Sequence, residues 1–242
     1  MAKKNKTGNA SSFFMFYDAF QLVSLRASDT AELPLVIRDA DCKLTLYKNC
    51  RNTHSIAHAA TSGILGVGKY PEMAAGALQG IKPELIFVDP NASPEDYSVV
   101  VAARIGKLRE DFSASEIVVL SCSPYGDGHS RLERKLTPKG DDGRMFNQAY
   151  RFSTYRKFKG LDAPVVVLVD VDRNAFVGTH NAMPFYEGAS RARQRLVVFA
   201  SMSDDDCSEV VAAYSEDGKV VSCENARSAF AEIFCMTEER KE

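Results

Sequence analysis

A stretch of basic side chains in the second half of the sequence has the composition of a phosphate-binding surface. Residues 131–160 carry nine Lys and Arg against three acids, an excess of six positive charges. Residues 201–242 carry eleven acids against four bases, which indicates a solvated helical tail. The basic stretch fits contact with nucleic-acid phosphates, and a solvated loop face is the alternative. Because the net charge of the whole chain is -2, any nucleic-acid surface must be local.

Two other groups of residues have spacings found in binding sites. Gly63 to Lys69 has the spacing of a P-loop, but Tyr70 replaces the Ser or Thr that ligates magnesium, and a predicted helix precedes the glycines. A glycine-rich connection after a helix explains this segment better than a complete small NTPase does. His54 and His58 are four residues apart, a spacing that allows a shared metal ion. Since no third ligand is close in sequence, we predict no metal site.

The elements that must position these residues alternate between strands and helices. Apolar runs predict strands, and Ser93, Pro94 and Asp96 predict the start of an amphipathic helix. The predicted strands are residues 13–18, 43–49, 84–89, 116–121, 149–154, 165–171 and 195–201. The predicted helices are residues 53–62, 93–112, 183–193 and 224–240. Continuous apolar strands interleaved with helices are typical of an α/β fold with a parallel sheet covered on both faces.

Four segments, taken in order, correspond to successive motifs of one enzyme family. They are FFMFYDAFQ (13–21), NCRNTHSIA (49–57), FSTYRKFKGLDAPVVVLVDVD (152–172) and FYEGASRARQRLVVF (185–199). The family's motifs III to VI are an acid and Gln after a strand, N-x-R-[ST], T-x-x-x-x-KG-[LM]-[ED] and Y-x-x-x-[ST]-RA. On these segments the chain resembles the superfamily I, UvrD/Rep-like DNA helicases over roughly residues 13–200. The part it resembles is their C-terminal domain, the second of two RecA-like domains, whose parallel sheet is flanked by helices.

The resemblance implies a role in an ATP site that lies between two RecA-like domains. Arg51 and Arg191 stand where the family's arginines reach the γ-phosphate from the second domain. Arginine suits that role because its guanidinium stays charged and bonds two phosphoryl oxygens at once. Gln21 stands where a side chain senses the γ-phosphate or its attacking water.

The same resemblance assigns two further groups of contacts. Asp162 stands where the family's acid approaches the nucleotide ribose, and Gly160 permits close approach of the backbone. Tyr186 opens the last motif and is expected to pack beside the nucleotide cleft. Three residues correspond to positions that face the phosphates of a single DNA strand, with a surface loop as the alternative: Thr154, Arg156 and Lys157.

The chain also departs from the family pattern. No credible P-loop or DE-x-Q magnesium site precedes Gln21, so the first RecA-like domain, with its sites for ATP and Mg²⁺, is expected to lie elsewhere. Residues 22–26 lack the aromatic residues that stack on bases, and Arg156 replaces a frequent His. About 100 residues separate Arg51 from Thr154, which indicates a compact domain without the large inserted subdomain of other members.

These observations predict three parts of the chain. Residues 1–30 are a remnant of the first motor domain with a linker, residues 31–201 are the second RecA-like domain, and residues 202–242 are an acidic helical tail. Such a chain is not expected to hydrolyse ATP appreciably by itself. Its predicted partners are single-stranded DNA and an N-terminal helicase domain, in cis or in trans. The alternative function is a non-catalytic nucleic-acid- or protein-binding module with a helicase-derived fold.

The amino-acid composition and the apolar runs limit the classes of protein to which the chain can belong. With 45% hydrophobic and 26% charged residues, the sequence is that of a globular protein rather than a disordered one. The longest apolar runs are far shorter than the roughly 20 residues that span a bilayer. The basic N-terminus lacks a signal-peptide core and cleavage site, so we predict a cytoplasmic protein. The six cysteines form no CxxC pair, which favours free thiols over a zinc or redox motif.

Overall fold

The computed structural model of the chain describes one unit in detail. The described residues are 48–66, 69–122, 132, 151–177, 182–215 and 225–239. All of them belong to the unit Lys48–Glu242. The motif III-like segment 13–21 with Gln21, and the basic residues among 133–150, lie outside the described residues. The role of Gln21 therefore stays a prediction from the sequence.

Six parallel strands form the described sheet. Their bounds are β1 Glu84–Val88, β2 Ile117–Ser121, β3 Arg151–Thr154, β4 Ala163–Val171, β5 Ala192–Ser201 and β6 Thr237–Glu238. Their spatial order is β3-β2-β4-β5-β1-β6, and every neighbouring pair runs parallel. This is the α/β arrangement that the sequence predicts, a parallel sheet flanked by helices.

Five α-helices of the described residues accompany the sheet. They are α1 His54–Leu65, α2 Pro94–Leu108, α3 Met183–Ala189, α4 Asp204–Tyr214 and α5 Ala226–Ile233. The predicted start of α2 is confirmed: the Ser93 hydroxyl accepts a hydrogen bond from the Asp96 backbone N–H at 3.1 Å, and Pro94 opens the helix. Within the described ranges, no helix is long and apolar enough to cross a membrane.

The strands send alternate side chains to two apolar clusters, one on each face of the sheet. In β2, Val118 and Leu120 join the cluster under α1, α3, α4 and α5, whereas Ile117 and Val119 join the cluster under α2. The buried stripe of α2, which includes Tyr97, completes the second cluster. Burial of both faces explains why these strands are apolar at consecutive positions.

Within 201–239, the structure describes two helices, as predicted for this part of the chain, but they are not a solvated tail. Phe230 and Phe234 are fully buried and pack against the core, and β6 pairs with β1 at the edge of the sheet. The three acids of 204–206 form the first turn of α4, where the helix dipole favours negative charge. The helix predicted over 224–240 ends at Ile233, because Cys235 turns the chain with a φ of 52° into β6.

The P-loop-like segment begins inside a helix. Gly63 lies in α1, which continues to Leu65 instead of stopping at Gly63 as the sequence predicts. A Cβ at Gly63 would stand 2.6 Å from the Cβ of Ala182, so glycine allows the close approach of α1 to the start of α3. The glycine is therefore explained by packing between helices and not by a phosphate.

Candidate functional site

Two arginine-bearing segments that are distant in sequence meet at the amino-terminal edge of the central strands. The side-chain amide of Asn52 donates hydrogen bonds to the backbone carbonyls of Ser190 at 3.0 Å and Ala192 at 2.5 Å. Those carbonyls flank Arg191, and Asn52 directly follows Arg51. The amide thus joins the turn before α1 to the connection between α3 and β5.

A second asparagine shapes the turn that carries Arg51. The side-chain oxygen of Asn49 accepts the backbone N–H groups of Arg51 at 3.0 Å and Asn52 at 3.1 Å. Its side-chain amide donates to the Asn52 side-chain oxygen at 2.9 Å. Asn52 stands at the [ST] position of N-x-R-[ST], and its part in the site was missed from the sequence. The signal was that departure from the motif, since an amide can donate to two carbonyls and a hydroxyl cannot.

Asp162 lies between two guanidinium groups at this edge. Its carboxylate is 3.9 Å from Nε of Arg51 and 3.4 Å from Nε of Arg193. The three side chains are 44%, 39% and 47% exposed for Arg51, Asp162 and Arg193. The sequence interpretation named Arg51 and Asp162 but missed Arg193, which is the second residue of β5. The structure therefore brings an exposed cationic pair together around one acid.

Arg191 differs from its neighbours in burial. The residue is 3% exposed, and its Nε donates to the backbone carbonyl of Glu187 at 3.1 Å. Its own carbonyl accepts the N–H of Ala163 at 3.0 Å, which ties the loop to the start of β4. The backbone of Arg191 thus lies at the expected edge, but its side chain does not open onto the exposed face as that of Arg51 does.

The residues expected to face a DNA strand lie at the other end of the sheet. β3 ends at Thr154, which is in register with Ser121 and through it with Val169 of β4. Asp162 precedes β4, so the two groups are separated along the strands by on the order of 20 Å. The chain crosses between them over residues 155–162. The predicted DNA contacts and nucleotide contacts are therefore distinct sites on this domain.

The turn after β3 is basic and ordered by its own contacts. Thr154 is 8% exposed, and its hydroxyl accepts the Lys157 backbone N–H at 3.3 Å, so this residue shapes the turn. Arg156 is exposed, with its guanidinium over the ring of Tyr155 and its Nε donating to the Tyr155 hydroxyl at 2.9 Å. Lys157 is exposed as well. Two cations at this turn thus face solvent from a defined backbone.

The two remaining predicted contacts differ in accessibility. Gly160 is exposed, has a φ of 85°, and has no atom within 4 Å of where a Cβ would lie. A left-handed backbone conformation explains glycine there, and the open space leaves the backbone approachable. Tyr186 is half-buried and packs against the apolar cluster beneath α3.

Cys122 and His58 are held by their surroundings. Burial, followed by the charges of Asp170 and Asp172, raises the pKa of the Cys122 thiol, so this cysteine stays protonated and unreactive near neutral pH. Burial and the neighbouring His54 lower the pKa of His58, whose ring stacks on Tyr70 with 4.1 Å between centroids. Among the described residues, no group of three or more His, Cys, Asp or Glu is arranged to hold a metal ion.

Comparisons with known proteins concern the fold alone. No protein-family profile matches the sequence, and no curated protein matches it. The fold is similar to the C-terminal domain of a possible DNA helicase from Lactobacillus plantarum WCFS1, with a TM-score of 0.44 and 15% identity, over 69% of this chain and 95% of that chain. It is also similar to the C-terminal part of the Fun30 ATPase domain, with a TM-score of 0.21 and 12% identity, over 63% of this chain and 46% of that chain. Neither likeness bears on which residues bind a ligand.

Replacing Asn52 tests whether its amide holds the two arginine segments together. Asn52→Ala is expected to lower the free energy of unfolding by about 1–3 kcal/mol, because it removes two hydrogen bonds to backbone carbonyls. Urea denaturation measures the change, with the exposed Asn91→Ala as the control. A loss no larger than that of the control would show that the amide adds nothing to stability.

Proposed function

We propose that this chain is the second motor domain of an ATP-dependent superfamily I DNA helicase or translocase of the UvrD/Rep type. One observation supports the proposal above the others. The turn of Arg51, the loop of Arg191 and the acid Asp162 are neighbours at one edge of a parallel sheet, joined by the Asn52 amide. These are the residues that the helicase resemblance assigns to the nucleotide, and they are widely separated in the sequence.

The chemistry of the edge fits the phosphate end of ATP. During phosphoryl transfer, negative charge spreads over the oxygens of the transferring group, and positioned cations stabilise it. Arg51 is half-exposed and held by an ordered turn, so it is available to a phosphate presented from outside the domain. By its motif position, Arg191 would also act on the γ-phosphate. Its buried side chain helps to fix the loop between α3 and β5. ATP and Mg²⁺ would be held chiefly by a P-loop domain, in cis or in trans.

The remaining nucleotide contacts follow from the same assignment. Asp162 would approach the ribose, where a carboxylate accepts hydrogen bonds from hydroxyl groups. The open backbone of Gly160 and the half-buried ring of Tyr186 would border the same nucleotide. Gln21 would sense the γ-phosphate from a segment outside the described residues.

The basic turn after β3 would contact the phosphates of single-stranded DNA. Arg156 and Lys157 are exposed there, and Lys159 and Arg151 add exposed positive charge nearby. Phosphate contacts from such side chains carry affinity without base specificity. Thr154 would act through the turn that its hydroxyl organises.

Salt dependence of single-strand binding tests this part of the proposal. Each phosphate contact on a single strand contributes about 0.7 to the slope of log affinity against log salt. The double variant Arg156→Gln/Lys157→Gln is therefore expected to reduce that slope by about 1.4, two contacts of about 0.7 each. Fluorescence anisotropy with a labelled oligo-dT across a series of NaCl concentrations measures it.

The matched control removes one lysine and one arginine elsewhere. Lys107→Gln/Arg173→Gln changes the net charge equally, at the end of α2 and in the connection after β4. If both double variants reduce the slope of log affinity against log salt by the same amount, the effect comes from net charge and the basic turn is not the DNA contact. If the unmodified chain shows a measurable slope and neither variant changes it, the DNA contact lies elsewhere on the chain.

A further inference from the structure

The exposed partner of Arg51 at the amino-terminal edge is Arg193. Both guanidiniums lie within 4 Å of the carboxylate of Asp162, at 3.9 and 3.4 Å, and both side chains are nearly half exposed. Arg191, two residues earlier, is 3% exposed and donates its Nε to a backbone carbonyl. The surface that an incoming ligand meets therefore carries the guanidiniums of Arg51 and Arg193.

The group of Arg51, Asp162 and Arg193 carries a net charge of +1 from two cations and one anion. The carboxylate of Glu116 also lies within electrostatic reach of Arg193. Each guanidinium has five N–H donors, so a single carboxylate leaves donors on both arginines for another acceptor. Ion pairs between half-exposed side chains contribute little to stability, so an anion with more oxygens can displace the carboxylate at small cost. Planar guanidiniums bind phosphate in a bidentate manner.

We propose that Arg193 is a second phosphate-contacting arginine, which acts together with Arg51 on the terminal phosphates of a nucleoside triphosphate. Asp162 is the internal counter-ion of the pair. It holds the two guanidiniums at the edge and releases them when a polyphosphate arrives. The identity of the ligand as a nucleotide rests on the proposed motor function, whereas the binding of a polyphosphate by these two arginines does not.

Isothermal titration calorimetry of the full chain with sodium tripolyphosphate, at constant ionic strength, tests the inference by measuring the dissociation constant. This probe carries the phosphates without base, sugar or P-loop domain. Arg193→Gln is expected to weaken binding by about tenfold, the effect of losing a hydrogen bond between charged groups. Arg51→Gln is expected to weaken it by a similar factor. Asp162→Asn is expected to tighten binding roughly threefold, because it removes the competing carboxylate.

Arg173→Gln is the matched control, because Arg173 is an exposed arginine paired with the acid Glu209 away from this edge. If Arg193→Gln binds like this control while Arg51→Gln is weakened, the role of Arg193 is overturned and the motor proposal stands. Weaker binding by Asp162→Asn would overturn the counter-ion role. The absence of saturable binding by the unmodified chain would overturn the polyphosphate site. Failure of the motor proposal would instead appear in ATP turnover, which this titration does not measure.

Discussion

Arg51→Ala is expected to lower ATP turnover of the assembled motor by about 10³-fold, the lower end of the effect of arginines supplied in trans to phosphoryl transfer. The assembled motor is this chain with its P-loop domain. The expected loss falls on turnover because a guanidinium stabilises charge that develops in the transition state. Steady-state phosphate release with saturating single-stranded DNA measures it.

The fold should tolerate this change, which keeps the result interpretable. Arg51 is 44% exposed, and its 3.9 Å ion pair with Asp162 lies at the surface, where such pairs contribute little. Arg173→Ala serves as the control for loss of an exposed, paired arginine. Unchanged turnover in Arg51→Ala, with salt-dependent single-strand binding intact, would favour a non-catalytic binding module. Arg191→Ala is also expected to lose turnover, but its burial requires the free energy of unfolding to be measured beside it.

Local signals account for the parts of the fold that the sequence predicts well. The start of α2 depends on Ser93 and Pro94, which lie beside the residues they affect. The strands β1, β2, β4 and β5 are apolar at consecutive positions because both faces of the sheet are covered. Such features can be derived from a few neighbouring residues.

The rest depends on contacts between distant segments. β6 has two residues and exists because it pairs with β1, so no periodicity could reveal it. Arg191 and Arg193 lie in a run in which every second residue is arginine. Arg191 precedes β5 and is buried, whereas Arg193 lies in β5 and is nearly half exposed, so their burial depends on where the chain enters β5. The departure of Asn52 from the motif marks that position, but the partners of the Asn52 amide and of Asp162 are set by the tertiary fold.

Glu84→Ala is expected to lower the free energy of unfolding by about 3–5 kcal/mol. Glu84 opens β1 with its side chain 9% exposed, and its two oxygens accept hydrogen bonds from Arg104 of α2 and Arg195 of β5. Those guanidiniums are 13% and 23% exposed. Without the Glu84 carboxylate, both guanidiniums remain largely desolvated and lose the negative charge that balances them. Urea denaturation followed by circular dichroism measures the loss.

Burial, rather than the presence of an ion pair, should decide the size of this effect. Glu209→Ala removes a carboxylate from a pair whose acid is 56% exposed, and we expect a loss of about 0–1 kcal/mol. Equal losses in the two variants would contradict the argument from desolvation. Glu84 also joins α2 and β5 to β1, and Arg104 lies 3.7 Å from Glu239 just beyond β6. Glu84→Ala should therefore destabilise the β1 side of the sheet. The molecules of this variant that stay folded should still bind tripolyphosphate at Arg51 and Arg193.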